Sequence, residues 1–259
     1  LAKRIPGKEE FHETIRYFQQ RLAATGVELR LNTAATEQAL QPFAEVILAA
    51  GVKPKPLRLD GIDHPMVVDY MHCINGSKPI GQRVAIIGAG GVGFDTAEYL
   101  LHDHDNGSTP SLNADVFFNT WGVDLDARAG IENIKADPAP AIREIHLLQR
   151  KTSKPGKSLG KTSGWVHRLT LRKAGVKFVT GVSYHRIDDD GLHISIDDKP
   201  QTLAVDNVVI CAGQLSVTEL LQPLQDSGKS VHVIGGAKLA AEIDAKRAIK
   251  EGTELAAKL

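Results

Sequence analysis

A chain of 259 residues with 42% hydrophobic and 24% charged content is ordinary globular material, long enough for one large or two modest domains. Its 31 Lys and Arg balance 31 Asp and Glu, which excludes a global field for nucleic acid or an anionic membrane and leaves anionic ligands to local charge. No run approaches the roughly 20 apolar residues that cross a bilayer and no charged-then-apolar leader opens the chain, so a cytoplasmic protein is expected.

From Glu9 to Thr25 the apolar residues Phe11, Ile15, Phe18 and Leu22 recur at helical spacing, and Gly26 is placed to end that helix. Val27, Leu29 and Leu31 alternate with Glu28 and Arg30 as a short strand would, and Glu45 to Gly51 reads as a buried strand closing on glycine. The Pro- and Gly-rich run from Lys53 to Asp63, followed by Lys78-Pro-Ile-Gly81, has linker composition and predicts a domain boundary near residue 80. Arg83 to Gly88 is a strand entering a glycine-rich turn, and Phe94 to Leu101 continues in helix-forming residues. An insertion with a short helix and Trp121 is expected from His102 to Ala141, where a standard unit has a short loop. The next strand is Glu144 to Gln149. Val182 to Val209 holds three alternating segments separated by Asp188-Asp-Asp-Gly191 and Asp197-Asp-Lys-Pro200, an antiparallel meander with turn-forming tips. Asn207 to Gly213 and Ser230 to Gly236 repeat the strand-to-glycine device, and a helix carrying Leu239, Ile243, Ile249 and Leu255 is expected after the second.

Gly88-Ala89-Gly90-Gly91-Val92-Gly93 fits G-x-G-x-x-G directly between an apolar strand and a helix. The first glycine permits the tight turn, the second lets backbone approach a pyrophosphate, and the third lets helix pack on strand. Which dinucleotide binds is decided at the end of the second strand. An acidic residue there would hold a ribose 2′-hydroxyl, and a basic one would accept a 2′-phosphate. Gln149-Arg150-Lys151 stands there, with Lys154, Lys157 and Lys161 downstream and no competing carboxylate. Arg grips phosphate bidentately, which favours NADP(H) over NAD(H); the competing reading is a solvated basic loop.

The other candidates carry less. Ten histidines show no metal-ligand spacing, His102 and His104 being the closest pair, and Asp188-Asp189-Asp190 before Gly191 reads as a hairpin tip. No metal site and no catalytic side chain is expected. Cys73 and Cys211 form no C-x-x-C pair and are too few for an iron–sulfur cluster. The opening Leu1-Ala-Lys-Arg-Ile-Pro-Gly7 reads as the interior of a longer protein.

Six stretches together carry a family resemblance: Ile5 to Phe11, Asp60 to Pro65, Val84 to Gly88 with Gly93 to Ala97, Leu148 to Lys151 with Ser153 to Gly156, Leu159 to Lys161, and Asp206 to Gly213. Over nearly its whole length the chain resembles the carboxy-terminal portion of the bacterial NADPH-dependent 2,4-dienoyl-CoA reductases, flavoproteins of the old-yellow-enzyme barrel superfamily. The resemblance implies a reductase of fatty acid β-oxidation in which hydride passes from NADPH to FAD, and electrons then pass through a 4Fe-4S cluster to FMN in an amino-terminal barrel. That barrel would be the missing partner in the same polypeptide. By position, Gly88, Gly90 and Gly93 resemble the NADPH pyrophosphate turn and Arg150 with Lys151 or Lys154 the 2′-phosphate clamp. Ala50, Gly51, Ala212, Gly213 and Gly236 are implied cofactor contacts, with Gly51 and Gly236 approaching FAD. The family's own FAD-binding glycine motif is absent from these residues.

The fold class expected is α/β, with two interleaved Rossmann-like units of parallel sheet and a β-meander. Residues 1–80 and 219–259 would form a partial FAD-binding domain and 81–218 the NADPH-binding domain. Three alternatives stay open: an NADPH-dependent enoate reductase of the same superfamily, a structural nucleotide-binding domain without turnover, and a generic disulfide reductase, which lacks its cysteine pair here.

Overall fold

The structure, a computed structural model, describes residues 1–102, 110–124, 136, 140–241 and 243–259. After a short 3-10 turn the order is α1 (Phe11–Ala24), α2 (Glu37–Leu40), β1 (Glu45–Leu48), β2 (Val52–Pro54), β3 (Val67–Asp69), α3 (Tyr70–Asn75), β4 (Arg83–Ile87) and α4 (Gly91–Leu101). There follow α5 (Ala114–Trp121), β5 (Glu144–Leu148), α6 (Gly164–Lys173), β6 (Lys177–Val179), and a run of strands β7 (Val182–Asp188), β8 (Gly191–Ile196), β9 (Lys199–Leu203), β10 (Asn207–Ile210) and β11 (Gln214–Ser216). The chain closes with α7 (Leu221–Asp226), β12 (Ser230–Val233), α8 (Gly235–Lys238) and α9 (Ala245–Ala256). Contacts divide it into a larger unit, Leu1–Gln19 with Pro56–Ala212, and a smaller one, Gln20–Lys55 with Gly213–Leu259.

The larger unit is built on a parallel five-stranded sheet in the order β3-β10-β4-β5-β6. Its central strands are apolar on both faces, which a sheet covered on both sides requires. Val84 and Ile86 of β4 point to one side, where they join Ile145, Leu147, Phe94, Ala97 and Leu171. Ala85 and Ile87 point to the other and join Val182, Leu192 and Ile194 of the meander. Helices therefore cover one face and the antiparallel β7-β8-β9 meander the other. Asp197 and Asp198 turn the second hairpin at φ 47° and 60°, as a tight two-residue turn needs. This is the expected α/β class with its meander.

Two strands of that sheet, β3 and β6, were not anticipated. Val67–Asp69 pairs in parallel with β10, and the Asp69 carboxylate caps α3 by accepting the Met71 and His72 amides at 2.9 and 3.0 Å. This pairing draws residues 56–80 into the larger sheet, so contacts divide the chain between 55 and 56 and between 212 and 213, where sequence alone put boundaries near 80 and 218.

The smaller unit holds the parallel pair β1-β12 and the antiparallel pair β2-β11. Its core is small, with Val46, Leu48 and Leu224 buried. The strand expected at Val27 to Leu31 does not form. Those residues pair with no strand among the described residues, and Val27, Leu29 and Leu31 are 51%, 52% and 66% exposed. A strand is defined by its ladder, and alternation without a neighbour to bond cannot make one. The helix expected to carry Leu239 through Leu255 is also interrupted. Asp244 accepts the Arg247 amide at 2.7 Å as an N-cap, so α9 starts afresh at Ala245 and leaves Leu239 and Ile243 outside helix. Within the insertion, α5 is the expected short helix, capped by Asn113; His104 lies outside the described residues.

Leu147 is fully buried at the centre of β5, on the helix-covered face. Leu147→Ala is expected to destabilise the larger unit by about 2–5 kcal/mol, read as a lowered denaturation midpoint at unchanged m-value.

Candidate functional site

The glycine-rich turn sits where β4 meets α4, held between both neighbouring strands. The Gly88 amide donates to Leu148 O at 2.9 Å, and the Cys211 amide donates to Ile87 O at 2.8 Å. Gly88 has φ 115°, and a Cβ there would lie 2.6 Å from Cys211 O, so a side chain is excluded by conformation and by space. A Cβ on Gly93 would stand 1.8 Å from Gly88 O: the first turn of α4 rests directly on the turn that precedes it. Gly90 and Gly91 differ, because a Cβ on either would meet nothing within 4 Å. They face open space, which is the room a ligand's pyrophosphate would take.

The Phe94 amide donates to Gly90 O at 3.0 Å, which is where the helical ladder starts. The amides of Gly91, Val92 and Gly93 precede it and have no intrahelical acceptor, and no side chain caps them. They leave a positive helix end beside the open space at Gly90. Ala89 is buried beneath the turn.

The basic segment leaves the neighbouring strand, β5. Arg150, Lys151 and Lys154 are all exposed, and none has a carboxylate partner among the described residues. The segment is nonetheless tied down. The Gln149 amide donates to Val179 O at 2.9 Å, and its side-chain Nε2 donates to Lys151 O at 2.9 Å and also to Ser153 O. The Gly181 amide donates to Lys151 O at 3.2 Å. Beyond Lys154, Pro155 and Gly156 are buried, and the Gly156 amide donates to Ala89 O at 3.1 Å. The structure thus brings the glycine turn and the basic loop together, as the sequence anticipated. Arg150 also acts on Tyr184, whose buried hydroxyl has no hydrogen-bond partner among the described residues: burial raises its pKa, and the Arg150 charge opposes that shift.

In the smaller unit, Gly51 and Gly236 come together. Gly51 has φ 75°, and a Cβ on Gly236 would lie 3.2 Å from the Gly51 Cα. The Val217 amide donates to Gly51 O at 3.0 Å and the Ser216 hydroxyl to Gly236 O at 2.7 Å. Ala50 is exposed beside them. Gly213 lies on the same ladder, its carbonyl accepting the Lys55 amide at 3.1 Å, while Ala212 belongs to the larger unit, with its amide nitrogen 3.2 Å from where a Cβ on Gly88 would stand.

Sequence reasoning passed over Gly156, Arg168 and the Lys8–Asp95 pair. Pro155-Gly156 was available as a turn signal; Arg168 gave none, because its partner is a backbone carbonyl. Lys8 Nζ reaches both Asp95 oxygens at 2.6 and 2.7 Å, fixing the amino-terminal segment on α4. The acidic tip behaves as a hairpin. Asp188, Asp190 and His193 lie close, but His193 Nε2 is bonded to Asp188 at 2.7 Å and its Nδ1 to Thr202 at 3.0 Å.

Both cysteines are buried and free. Burial pushes each thiol up to about 12, with the Thr96 hydroxyl opposing this at Cys211 and the Arg143 charge opposing it at Cys73. The folded thiols hold their protons more tightly than unfolded ones, whose ordinary value is 9.0. The stability this confers is complete below pH 9 and is lost as pH rises from there toward 12. A thiol-reactive dye at about pH 8 should find no fast-reacting group in the folded chain and both after denaturation; rapid labelling of the native chain would show the burial to be wrong.

Residues 27–243 match the family described as pyridine nucleotide-disulphide oxidoreductase. Among curated proteins, the chain is 34% identical over 103 residues to a cinnamate reductase of Clostridium sporogenes, covering 37% of this chain and 15% of that one. It is 23% identical over 243 residues to a metal reductase of Desulforamulus reducens, covering 92% and 35%. A 2-naphthoyl-CoA reductase structure superposes with TM-score 0.78 at 24% identity, covering all of this chain and 34% of that one. The chain therefore spans about a third or less of the length of these proteins. It belongs to the pyridine nucleotide-disulphide oxidoreductase family.

Proposed function

We propose that this chain is the electron-entry portion of an NADPH-dependent flavoprotein reductase acting on carbon–carbon double bonds in the cytoplasm, with a 2,4-dienoyl-CoA reductase role in β-oxidation as the specific reading. When bound, NADPH would supply a hydride and FAD would accept it, with the iron–sulfur cluster and FMN belonging to a barrel outside these residues. The chain's own part is binding and orientation. The turn from Gly88 to Gly93 presents backbone amides to the pyrophosphate, and Arg150, with Lys151 and Lys154, takes the 2′-phosphate. In the smaller unit, Gly51 and Gly236, with Ala50 and Gly213, would give flavin close access to backbone. The contribution to rate is the binding and orientation of each nucleotide, with no described side chain assigned as acid or base.

The observation that carries this reading is the basic loop tied to the glycine turn while its own cations stay unpartnered among the described residues. Three exposed cations on a loop tied to a helix amino terminus offer an anion a local positive field that the chain's overall charge balance does not. The buried thiols separate this chain from the disulfide chemistry in its family's name. The cinnamate reductase relative favours, as a second reading, an enoate reductase sharing these nucleotide units. The apolar surface left open in the smaller unit, including Val27, Leu29 and Leu31, supports the view that its flavin-binding fold is partial.

Arg150→Ala is expected to weaken NADP+ roughly tenfold to a hundredfold and leave NAD+ within about twofold, measured by titration calorimetry. Equal loss of both would remove the 2′-phosphate assignment. Gly90→Ala should fold as the wild type does, since its Cβ meets nothing, yet lose both nucleotides.

A further inference from the structure

The basic loop is held at its far end by contacts of Gly156. Gly156 is buried at φ 68°, and a Cβ there would stand 2.8 Å from Phe94 Cζ and 2.6 Å from Leu159 Cδ1. Phe94 directly follows Gly93, the glycine whose close approach sets the α4 entry. The Gly156 amide donates to Ala89 O inside the glycine turn at 3.1 Å, and Gly156 O accepts from Arg168 Nη1 at 3.1 Å. Arg168 stands on α6, whose Leu171 is fully buried against the sheet, so the guanidinium is carried by a fixed element. A charged donor on a backbone carbonyl is among the stronger single hydrogen bonds, and here it holds the carbonyl of the residue whose amide ties the basic loop to the glycine turn.

We propose that Arg168 and Gly156 form a latch that sets the distance between the basic loop and the glycine turn, making Arg168 a positioning residue for discrimination in favour of 2′-phosphorylated nucleotides. The inference rests on the nucleotide reading above. The turn meets the pyrophosphate whether or not the loop is held. The 2′-phosphate is met only by Arg150, Lys151 and Lys154, and their cations add affinity in proportion to how little the loop must be ordered on binding. Releasing the latch therefore loosens the loop and weakens NADP+ while sparing NAD+. Arg168 is half-buried and among the described residues its guanidinium bonds a backbone carbonyl, so its replacement leaves the sheet and its core intact.

The test is titration of NADP+ and NAD+ into the full chain as wild type, Arg168→Gln and Arg168→Lys, together with hydrogen exchange at the Gly156 amide. Arg168→Gln should weaken NADP+ roughly tenfold, change NAD+ by less than about twofold, and speed exchange at Gly156; Arg168→Lys, which keeps a charged donor, should recover part of the loss. Unchanged NADP+ affinity, or equal weakening of both nucleotides, overturns the latch. A wild-type chain with no preference for NADP+ overturns the nucleotide reading and the latch's role with it. A wild-type preference that survives Arg168→Gln intact sinks the latch alone.

Discussion

The contact on which the rest of the larger unit depends is the approach of α4 to the end of β4, where Gly93 stands so close to Gly88 O that even a methyl group would overlap it. That contact fixes where α4 begins and therefore where its unbonded amides point. It also fixes how Phe94 enters the core, where it packs on the Phe178 ring with centroids 5.8 Å apart. The same helix then carries Thr96, Ala97, Leu100 and Leu101 into the interior and Asp95 outward to Lys8. A helix seated one methyl farther away would lose the packing and the amide array together, because one rigid element carries both.

The sheet makes that approach possible. A parallel strand buried on both faces satisfies all its backbone groups from its two neighbours, so the end of β4 is held by β5 through Gly88 and by β10 through Cys211. The turn is consequently rigid before any ligand arrives. Preorganised amides cost nothing to reorient on binding, which is why backbone rather than side chains is suited to meet a pyrophosphate here.

What was legible in the sequence follows from what is local. The glycine turn, the strand before it and the hairpins at Asp188-Gly191 and Asp197-Pro200 are set by residues within a few positions of one another, and their positions were readable. The basic loop was readable as charge. Its tethering was not, since the bonds from the Gly156 amide to Ala89 O and from the Arg168 guanidinium to Gly156 O each end on a backbone carbonyl, which leaves no mark in residue type. The strand at Val67 was missed because three residues in a Pro-rich stretch carry too little pattern; it exists through its partner β10. Val27 to Leu31 shows the reverse case, a sound pattern without a partner.

The two units also differ in how far they could stand alone. The larger one buries two apolar layers against a shared sheet, whereas among the described residues the apolar core of the smaller one is Val46, Leu48 and Leu224, with Ala237 also buried. Its apolar residues do not lack burial for want of hydrophobicity: Ile47 alternates with Val46 and Leu48 on β1 and is 44% exposed, and Ile249 on α9 is 56% exposed. The β1-β12 pair gives these side chains one covered face and one open one. The open face of this pair therefore presents apolar side chains that the described residues of the smaller unit do not cover.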